Sequence, residues 1–483
     1  MPRKNTKEEA KGFRVVILAA GKGTRMKSSL PKVLHQICGR SLLGHVLNAC
    51  ALAGATKFFP VLGYGKEEVL EEIKKYENLG ISFESVEQKK LLGTGDAART
   101  VMPFLEGDDS LVVILNGDGP MISAQTLQLL VEQHKKNKAN LTVAVAELEN
   151  PTGYGRAVLS GKTIKKIVEE KEANSKEKKI TSVNAGVYVA DYSFLLNFLP
   201  KLKASKVTGE FYLPDLVALG AGKKKKIFPV VIPKEELLGI NDHEQLAEVA
   251  AIMRKRILKA WQQQGIRIDD PANTYIDAGV ILAEGVSIEP NVHIYGDSRI
   301  GRGTHIEAFS YLKNSIVEET VVIKANTYME EAHVGKNTSV GPFARLRPGT
   351  KLGKNVKIGN FVEIKKSQIG DESKISHLSY LGDAIVGKNV NIGCGFITCN
   401  YDGVNKHITE IGNNAFIGSD VQAIAPIHIG DDTYVASGTT LTKNVNKGAL
   451  AIARQKQENK EAYAERLRAR MLAAAKNKKK ESL

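Results

Sequence analysis

From residue 14 to about residue 243, short apolar runs alternate with amphipathic stretches. Val15–Ala20, Phe58–Leu62, Ser110–Leu115, Leu141–Val145, Val183–Val189 and Ile227–Ile232 predict strands, and Thr126–Lys136 predicts one of the helices between them. That alternation predicts an α/β layered domain with a largely parallel sheet. The texture changes at Asn241. Asp242 is a capping residue, and Leu246, Val249, Ala250, Met253, Ile257 and Trp261 then recur at three- and four-residue steps up to Gly265. The pattern predicts one long amphipathic helix as a rigid link.

Strict sixes follow. Leu282, Ile288, Ile294, Ile300, Ile306 and Leu312 form one ladder. Ile316, Val322, Tyr328, Val334, Val340, Leu346, Leu352, Ile358 and Ile364 form a second. Ile411, Ile417, Ala423, Ile429, Val435 and Leu441 form a third. No helix repeats at six. A left-handed parallel β-helix does, with one aliphatic side chain per flat side pointing inward and about nine coils over this length. The glycines of "IGRG", "VGKN", "LGKN" and "IGNN" are expected at corners needing positive φ. The ladder breaks near Ile369–Leu381 and at Thr398–Ile411. The second break is too long for a six-residue side and predicts an extruded loop. Beyond Arg454 the chain reads as a polar helix with a lysine-rich end. The predicted domains are 1–243 (α/β), 244–264 (linker helix) and 265–483 (β-helix with a basic helical tail).

The formal net charge of +15 favours anionic partners such as nucleotides, phosphosugars or coenzyme A. Lys223–Lys226 and Lys478–Lys480 lack the interleaved aromatics of a single-strand nucleic-acid surface, so no nucleic-acid partner is expected. Cys38, Cys50, Cys394 and Cys399 have no zinc-ligand spacing and read as reduced small packers. The polar stretch before Gly12 and the short run Val15–Ala20 predict neither a signal core nor membrane insertion, hence a cytoplasmic protein.

Candidate chemistry collects at loops. "GKGTRM" lacks the spacing of a P-loop. Gly21 and Gly23 still let backbone amides approach a phosphate, with Arg25 and Lys32 bringing two cations. "LLGTGDA" (Leu91–Ala97) is a second glycine-rich turn. "LNGDGP" places Asp118 just past an apolar strand, where open α/β sheets bind ligands and where a hard oxygen suits Mg²⁺.

"LAAGKGTRMKSSLPKVLHQICG" resembles the signature of sugar-1-phosphate nucleotidyltransferases, and "PTGYGR", "IVEEK", "VNAG" and "GIND" follow in that family's order. With the repeats, residues 14–454 resemble the bacterial bifunctional N-acetylglucosamine-1-phosphate uridylyltransferases/glucosamine-1-phosphate N-acetyltransferases, enzymes of cell-wall precursor synthesis. The resemblance implies a Rossmann-like nucleotidyltransferase domain before the β-helix. Leu18, Ala19, Ala20, Gly21, Lys32, Gln88, Gly93, Thr94, Asn116, Gly117 and Asp118 would hold UTP. Arg25 and Lys32 would balance the charge of the transition state, and Asp118 and Asn241 would bind Mg²⁺. Gly153, Glu169, Asn184 and Asn241 would surround N-acetylglucosamine-1-phosphate. Asn116 stands where the family pattern has an aromatic residue, and Gly119 follows the aspartate, a departure that bears on sugar affinity.

In the repeats the resemblance makes His377, in "SHLSYLGD", the general base, oriented or polarised by Glu363. Arg347, Lys365, Tyr380 and Asn391 would hold glucosamine-1-phosphate. Cys394, Asn400, Tyr401, Ser419, Ser437 and Arg454 would contact acetyl-CoA, with Cys394 and Ser437 in place of smaller residues. The family's assembly implies a homotrimer with sites between subunits. One alternative is a single-activity nucleotidyltransferase whose β-helix only assembles subunits. Another is a scaffold protein with a degenerate head. His377, Asn391, Asn400 and Arg454 argue against the first, and Arg25, Lys32, Asp118 and Asn241 against the second.

Overall fold

The computed structural model describes residues 12–77, 80–106 and 110–481, with side chains through residue 477 at the C-terminal end. The polar N-terminal stretch before Gly12 and the side chains of Lys478–Lys480 lie outside the described residues. The chain forms two compact units. One is Met1–Val280 with Ile294–Asp297; the other is Ile281–His293 with Ser298–Leu483.

In the first unit, a ten-stranded sheet is centred on Phe13–Ala19, which pairs in parallel with Ala55–Leu62 and Val112–Asn116. Side chains alternate across it, as the pleat requires. Val15 and Ile17 face a core with Leu43 and Leu47 of helix Leu42–Leu52 and Leu127 and Leu130 of helix Ala124–Asn137. Val16 faces the opposite core, with Ala97, Phe194 and Leu216 from three other helices. The result is a three-layer α/β sandwich. The sheet is more mixed than the apolar runs predict. Ser182–Ala190 runs antiparallel to both Val112–Asn116 and Leu141–Glu147, and Arg156–Ser160 and Thr163–Val168 add an antiparallel pair. The long helix spans His243–Gln263, with Asp242 capping it through the Gln245 amide, and buries Val249, Met253 and Leu258.

The second unit is the parallel β-helix. One of its sheets has nine strands, from Ile281–Leu282 to Ile427–Ile429, one for each coil. Most successive coils pair 18 or 17 residues apart, as in Ser287↔His305 and His305↔Val322, with 16 at Tyr434↔Leu450 and 25 at Ala384↔Thr409. The shorter coils correct part of the ladder. Val317, Ile323 and Met329 point inward, while Ile316, Val322 and Tyr328 do not. A five-residue side shifts the phase by one, and the neighbouring position happens to be apolar too. For the same reason there is no break at Ile369–Leu381. Ile369, Ile375, Leu381 and Val386 are all buried in sequence.

The corner glycines are corrected in part, since Gly303 of "IGRG" is left-handed as expected. The left-handed residues of that corner are Gly303 (φ 68), Asn337 (φ 58), Asn355 (φ 57) and Asn414 (φ 58). Asparagine tolerates this region better than other side chains. The glycines two residues earlier serve close stacking instead. A Cβ on Gly335 would sit 2.4 Å from the Gly353 carbonyl oxygen of the next coil. The second predicted break is an excursion at residues 400–408. The Tyr401–Lys406 bridge closes it, and His407, 2.6 Å from Asp402, pins it.

Candidate active sites

The first site grows from the carboxyl ends of adjacent parallel strands. Leu18 lies beside Asn116, and the Gly117 amide donates to the Leu18 carbonyl at 2.9 Å. Both chains then leave the sheet as turns, so Ala19–Gly21 and Asp118 line the same cavity of about 510 Å³. Gly23 is left-handed (φ 63), and a Cβ there would come within 2.5 Å of the Lys32 Cβ. Glycine thus lets the Lys32 stem pass and reach Asp118 at 2.5 Å. The Lys32 ammonium also donates to Asn241 Oδ1 at 3.1 Å, and Arg25 donates to the same oxygen at 2.8 Å.

On the cavity's other wall, Gln88 donates to the Gly93 carbonyl at 3.2 Å and to Asp96 at 2.8 Å, which fixes its amide. Gly93 (φ 102) packs against the Phe211 backbone, and the Thr94 hydroxyl accepts from the Leu213 amide. A second cavity of about 210 Å³ adjoins the first, sharing Leu18, Thr94 and Asn116. Glu169 and Asn184 line it, with Asn184 donating to the Tyr188 hydroxyl at 2.7 Å. Burial, with Asp215, Glu172 and Glu210 nearby, holds the Glu169 carboxyl above the usual carboxylate range. Gly153 lines neither of these cavities. Its amide donates to Glu170, which also pairs with Arg156 at 2.6 Å. Glu210 and Tyr212 line the two cavities without having been expected. Their signal is faint, an acidic residue and two aromatics in the Ser/Thr/Gly-rich loop before Leu213.

The second site lies on the paired strands Lys357–Lys365 and Lys374–Gly382, which set His377 beside Asn360, Tyr380 beside Glu363 and Gly382 beside Lys365. The His377 Nδ1 is 3.1 Å from Asn360 Oδ1. An amide oxygen only accepts, so Nδ1 is the donor in this pair, which in a neutral ring makes Nε2 the basic nitrogen. Glu363, expected to orient His377, instead accepts from Arg347 at 2.8 Å. Lys365 meets Lys406 from the extruded loop. Lys406 above all, then loss of solvent and Arg347, disfavour its charged form, so Lys365 titrates below the ordinary lysine value. Three cations therefore crowd one spot, the arrangement an anion relieves. Gly382 has no Cβ where the Tyr380 hydroxyl and the Asn400 amide converge, and Asn400 donates to Asp383 at 2.6 Å. Tyr401 is exposed in the loop, its hydroxyl donating to Gly403. Asn391 pairs with Lys374 of the preceding coil.

His377, Cys394, Ser419 and Ser437 each precede a residue of one left-handed corner column: Leu378, Gly395, Asp420 and Gly438. Backbone bonds join that column from coil to coil, Gly395 to Leu378, Asp420 to Cys394 and Gly438 to Ser419. Only small side chains thus stand in line beyond the imidazole. At the far end Arg454 donates to the Ser437 carbonyl at 2.9 Å. Asn360 and Lys406 escaped sequence reading because both act across coils.

A nucleotidyl transferase family profile matches residues 14–225, a GMPPB C-terminal domain profile residues 272–356, and a bacterial transferase hexapeptide profile residues 408–443. The chain is 46% identical over 451 residues to the bifunctional protein GlmU of Geotalea uraniireducens, covering 93% of this chain and 98% of that protein. It is 43% identical over 450 residues to the protein of that name in Clostridium botulinum, and 44% over 469 residues to that in Geobacter sulfurreducens. Each alignment covers 93% of this chain and 97% of the relative.

Proposed function

Since the chain belongs to the family of bifunctional GlmU proteins, and so is an N-acetylglucosamine-1-phosphate uridylyltransferase and glucosamine-1-phosphate N-acetyltransferase of UDP-N-acetylglucosamine synthesis, we propose that each activity has its own centre in this chain. Uridylyl transfer belongs to the paired cavities of the α/β unit. The observation that carries this is their division: Arg25, Lys32, Asp118 and Asn241 in the larger, Glu169 and Asn184 in the smaller. UTP fits the cationic part and N-acetylglucosamine-1-phosphate the part with amide and carboxyl groups. The sugar phosphate attacks the α-phosphorus of UTP, and pyrophosphate leaves. Arg25 and Lys32 offset the charge that builds up, and positioning does the rest.

Mg²⁺ fits this donor set. The Asp118 carboxylate and the Asn241 amide oxygen already converge on one cation, the Lys32 ammonium. One or two protein oxygens plus substrate phosphates are how Mg²⁺ is commonly held. Bound there by Asp118 and Asn241, it would supply charge neutralisation at the triphosphate.

Acetyl transfer belongs to the β-helix. Arg347, Lys365 and Lys406 hold the phosphate of glucosamine-1-phosphate, with Tyr380 and Asn391 toward the sugar. The His377 Nε2 takes the proton as the amine attacks the thioester carbonyl of acetyl-CoA, and coenzyme A leaves as its thiol. The line of Cys394, Ser419 and Ser437 makes room for the coenzyme, Asn400 and Tyr401 flank the acetyl end, and Arg454 meets its phosphates.

A homotrimer accounts for one costly feature. Phe309, Phe343, Phe361 and Leu378 are left-handed and 50–61% exposed on one corner. Each pays about 1–2 kcal/mol for that conformation, which burial against another copy offsets. Phe361 and Leu378 adjoin Asn360 and His377, so that copy would also close over the base. Among the described residues no helix is long and apolar enough to cross a membrane, and supply of UTP and acetyl-CoA argues for the cytoplasm. Paired variants test the division. His377→Ala should abolish thiol release from acetyl-CoA and leave uridylyl transfer within twofold. Asp118→Ala should do the reverse. Loss of both activities from either folded variant would refute it.

A further inference from the structure

Arg454 is the last residue placed in either site, and helix Tyr463–Glu481 follows it. At 1.5 Å per residue it is about 28 Å long. Tyr463, Leu467 and Met471 are spaced by four and so lie on one face, with Ala474 continuing the stripe. The first three are 49%, 43% and 65% exposed, so none of the described residues covers them. Arg466 and Arg470 border the stripe on one side and Arg468 on the other, while Glu465 points away from it. From Lys460 to Leu483 the sequence holds eight basic and three acidic residues.

An exposed apolar stripe edged by arginines is suited to a surface that is apolar beneath and negative on top. We propose that this helix lies flat on an anionic lipid surface, the stripe entering the headgroup boundary and the arginines meeting lipid phosphates. The binding is peripheral, since the helix has too many charges to span. Two other occupants fit less well. A nucleic acid would leave the stripe in water, and the one aromatic, Tyr463, already has the Arg466 guanidinium 6.0 Å from its ring centre. A second copy of the helix would need large apolar residues alternating at three and four over several turns, whereas this stripe steps by four, four and three, ends in an alanine, and would face arginine with arginine.

The test uses the full-length protein and sedimenting vesicles. Vesicles of mixed phosphatidylcholine and phosphatidylglycerol should carry down at least about tenfold more protein than phosphatidylcholine alone, with the difference lost in high salt. Leu467→Gln with Met471→Gln keeps good helix formers and all charges, and should cut the bound fraction about tenfold while leaving both enzymatic rates and the solution mass unchanged. Separately, Arg466→Gln, Arg468→Gln and Arg470→Gln together should remove the preference for anionic lipid. Equal binding to both vesicle types would overturn the proposal. So would full binding by the Leu467/Met471 double variant, a drop in its solution mass, or binding to duplex RNA with the vesicles ignored.

Discussion

Replacing Asn360 with alanine tests whether the β-helix aims the general base. Among the described residues the His377 Nδ1 has one side-chain partner, Asn360 Oδ1 at 3.1 Å, supplied by the preceding coil through the register of two long strands. That bond sets which ring nitrogen is basic and fixes the ring plane. A neutral hydrogen bond of this kind is worth about 1 kcal/mol, which corresponds to about fivefold in rate. The effect should fall on kcat of acetyl transfer, because Asn360 touches the imidazole and not the Arg347/Lys365/Lys406 cluster. The KM for glucosamine-1-phosphate should stay within twofold, and pyrophosphate release from UTP should not change. Initial rates of thiol release at limiting and saturating sugar phosphate separate these outcomes. An unchanged kcat, a KM effect alone, or a parallel loss of uridylyl transfer would refute the reasoning.

Burial pulls the His45 imidazole down to about 4 from its ordinary value near 6.5. It folds neutral and protonates more readily unfolded, so its contribution is intact above pH 6.5 and is lost as pH falls toward 4, by about 3 kcal/mol in all. Urea midpoints between pH 7 and 4.5 should drop accordingly, and less steeply in His45→Gln, whose amide can still donate to the Ile37 carbonyl. Gly335→Ala places a methyl against the next coil's backbone and should lower stability by about 1–3 kcal/mol in thermal unfolding, although its φ is not left-handed. Phe361→Glu should reduce the solution mass and abolish acetyl transfer while sparing uridylyl transfer, read by light scattering and the two rate assays. Chelating divalent cations should stop pyrophosphate release and leave thiol release running.

Much of this molecule is legible in its sequence because its strongest signals are periodic. The sandwich follows from apolar runs of strand length, and Asp242 before an amphipathic stretch marks the long helix. The β-helix follows from the sixes. Register is where local reading fails. A five-residue side looks like a slip in the pattern, and Ile316, Val322 and Tyr328 invite the wrong phase because both candidate positions are apolar. Gly303 takes the positive φ expected of a corner glycine, whereas at Asn337, Asn355 and Asn414 the asparagine adopts it and the glycine two residues earlier yields to the coil above. The sites divide in the same way. Lys32, Asp118 and Asn241 sit in recognisable motifs, and the fold gathers them. Glu363 sits in one too, but the coil register hands it to Arg347 and gives His377 an asparagine. Lys406 becomes part of a cation cluster only once the loop closes through Tyr401. Contacts between coils, such as Arg347 with Glu363 and Asn360 with His377, join residues 16 or 17 positions apart, and no single motif encodes them.

One incubation tests the central claim most directly: purified protein with glucosamine-1-phosphate, acetyl-CoA, UTP and Mg²⁺, following free thiol and pyrophosphate together. Both should be released, with pyrophosphate appearing after thiol and only when acetyl-CoA is present. Pyrophosphate formed solely from supplied N-acetylglucosamine-1-phosphate, with no thiol released, would contradict it and leave the β-helix as a scaffold.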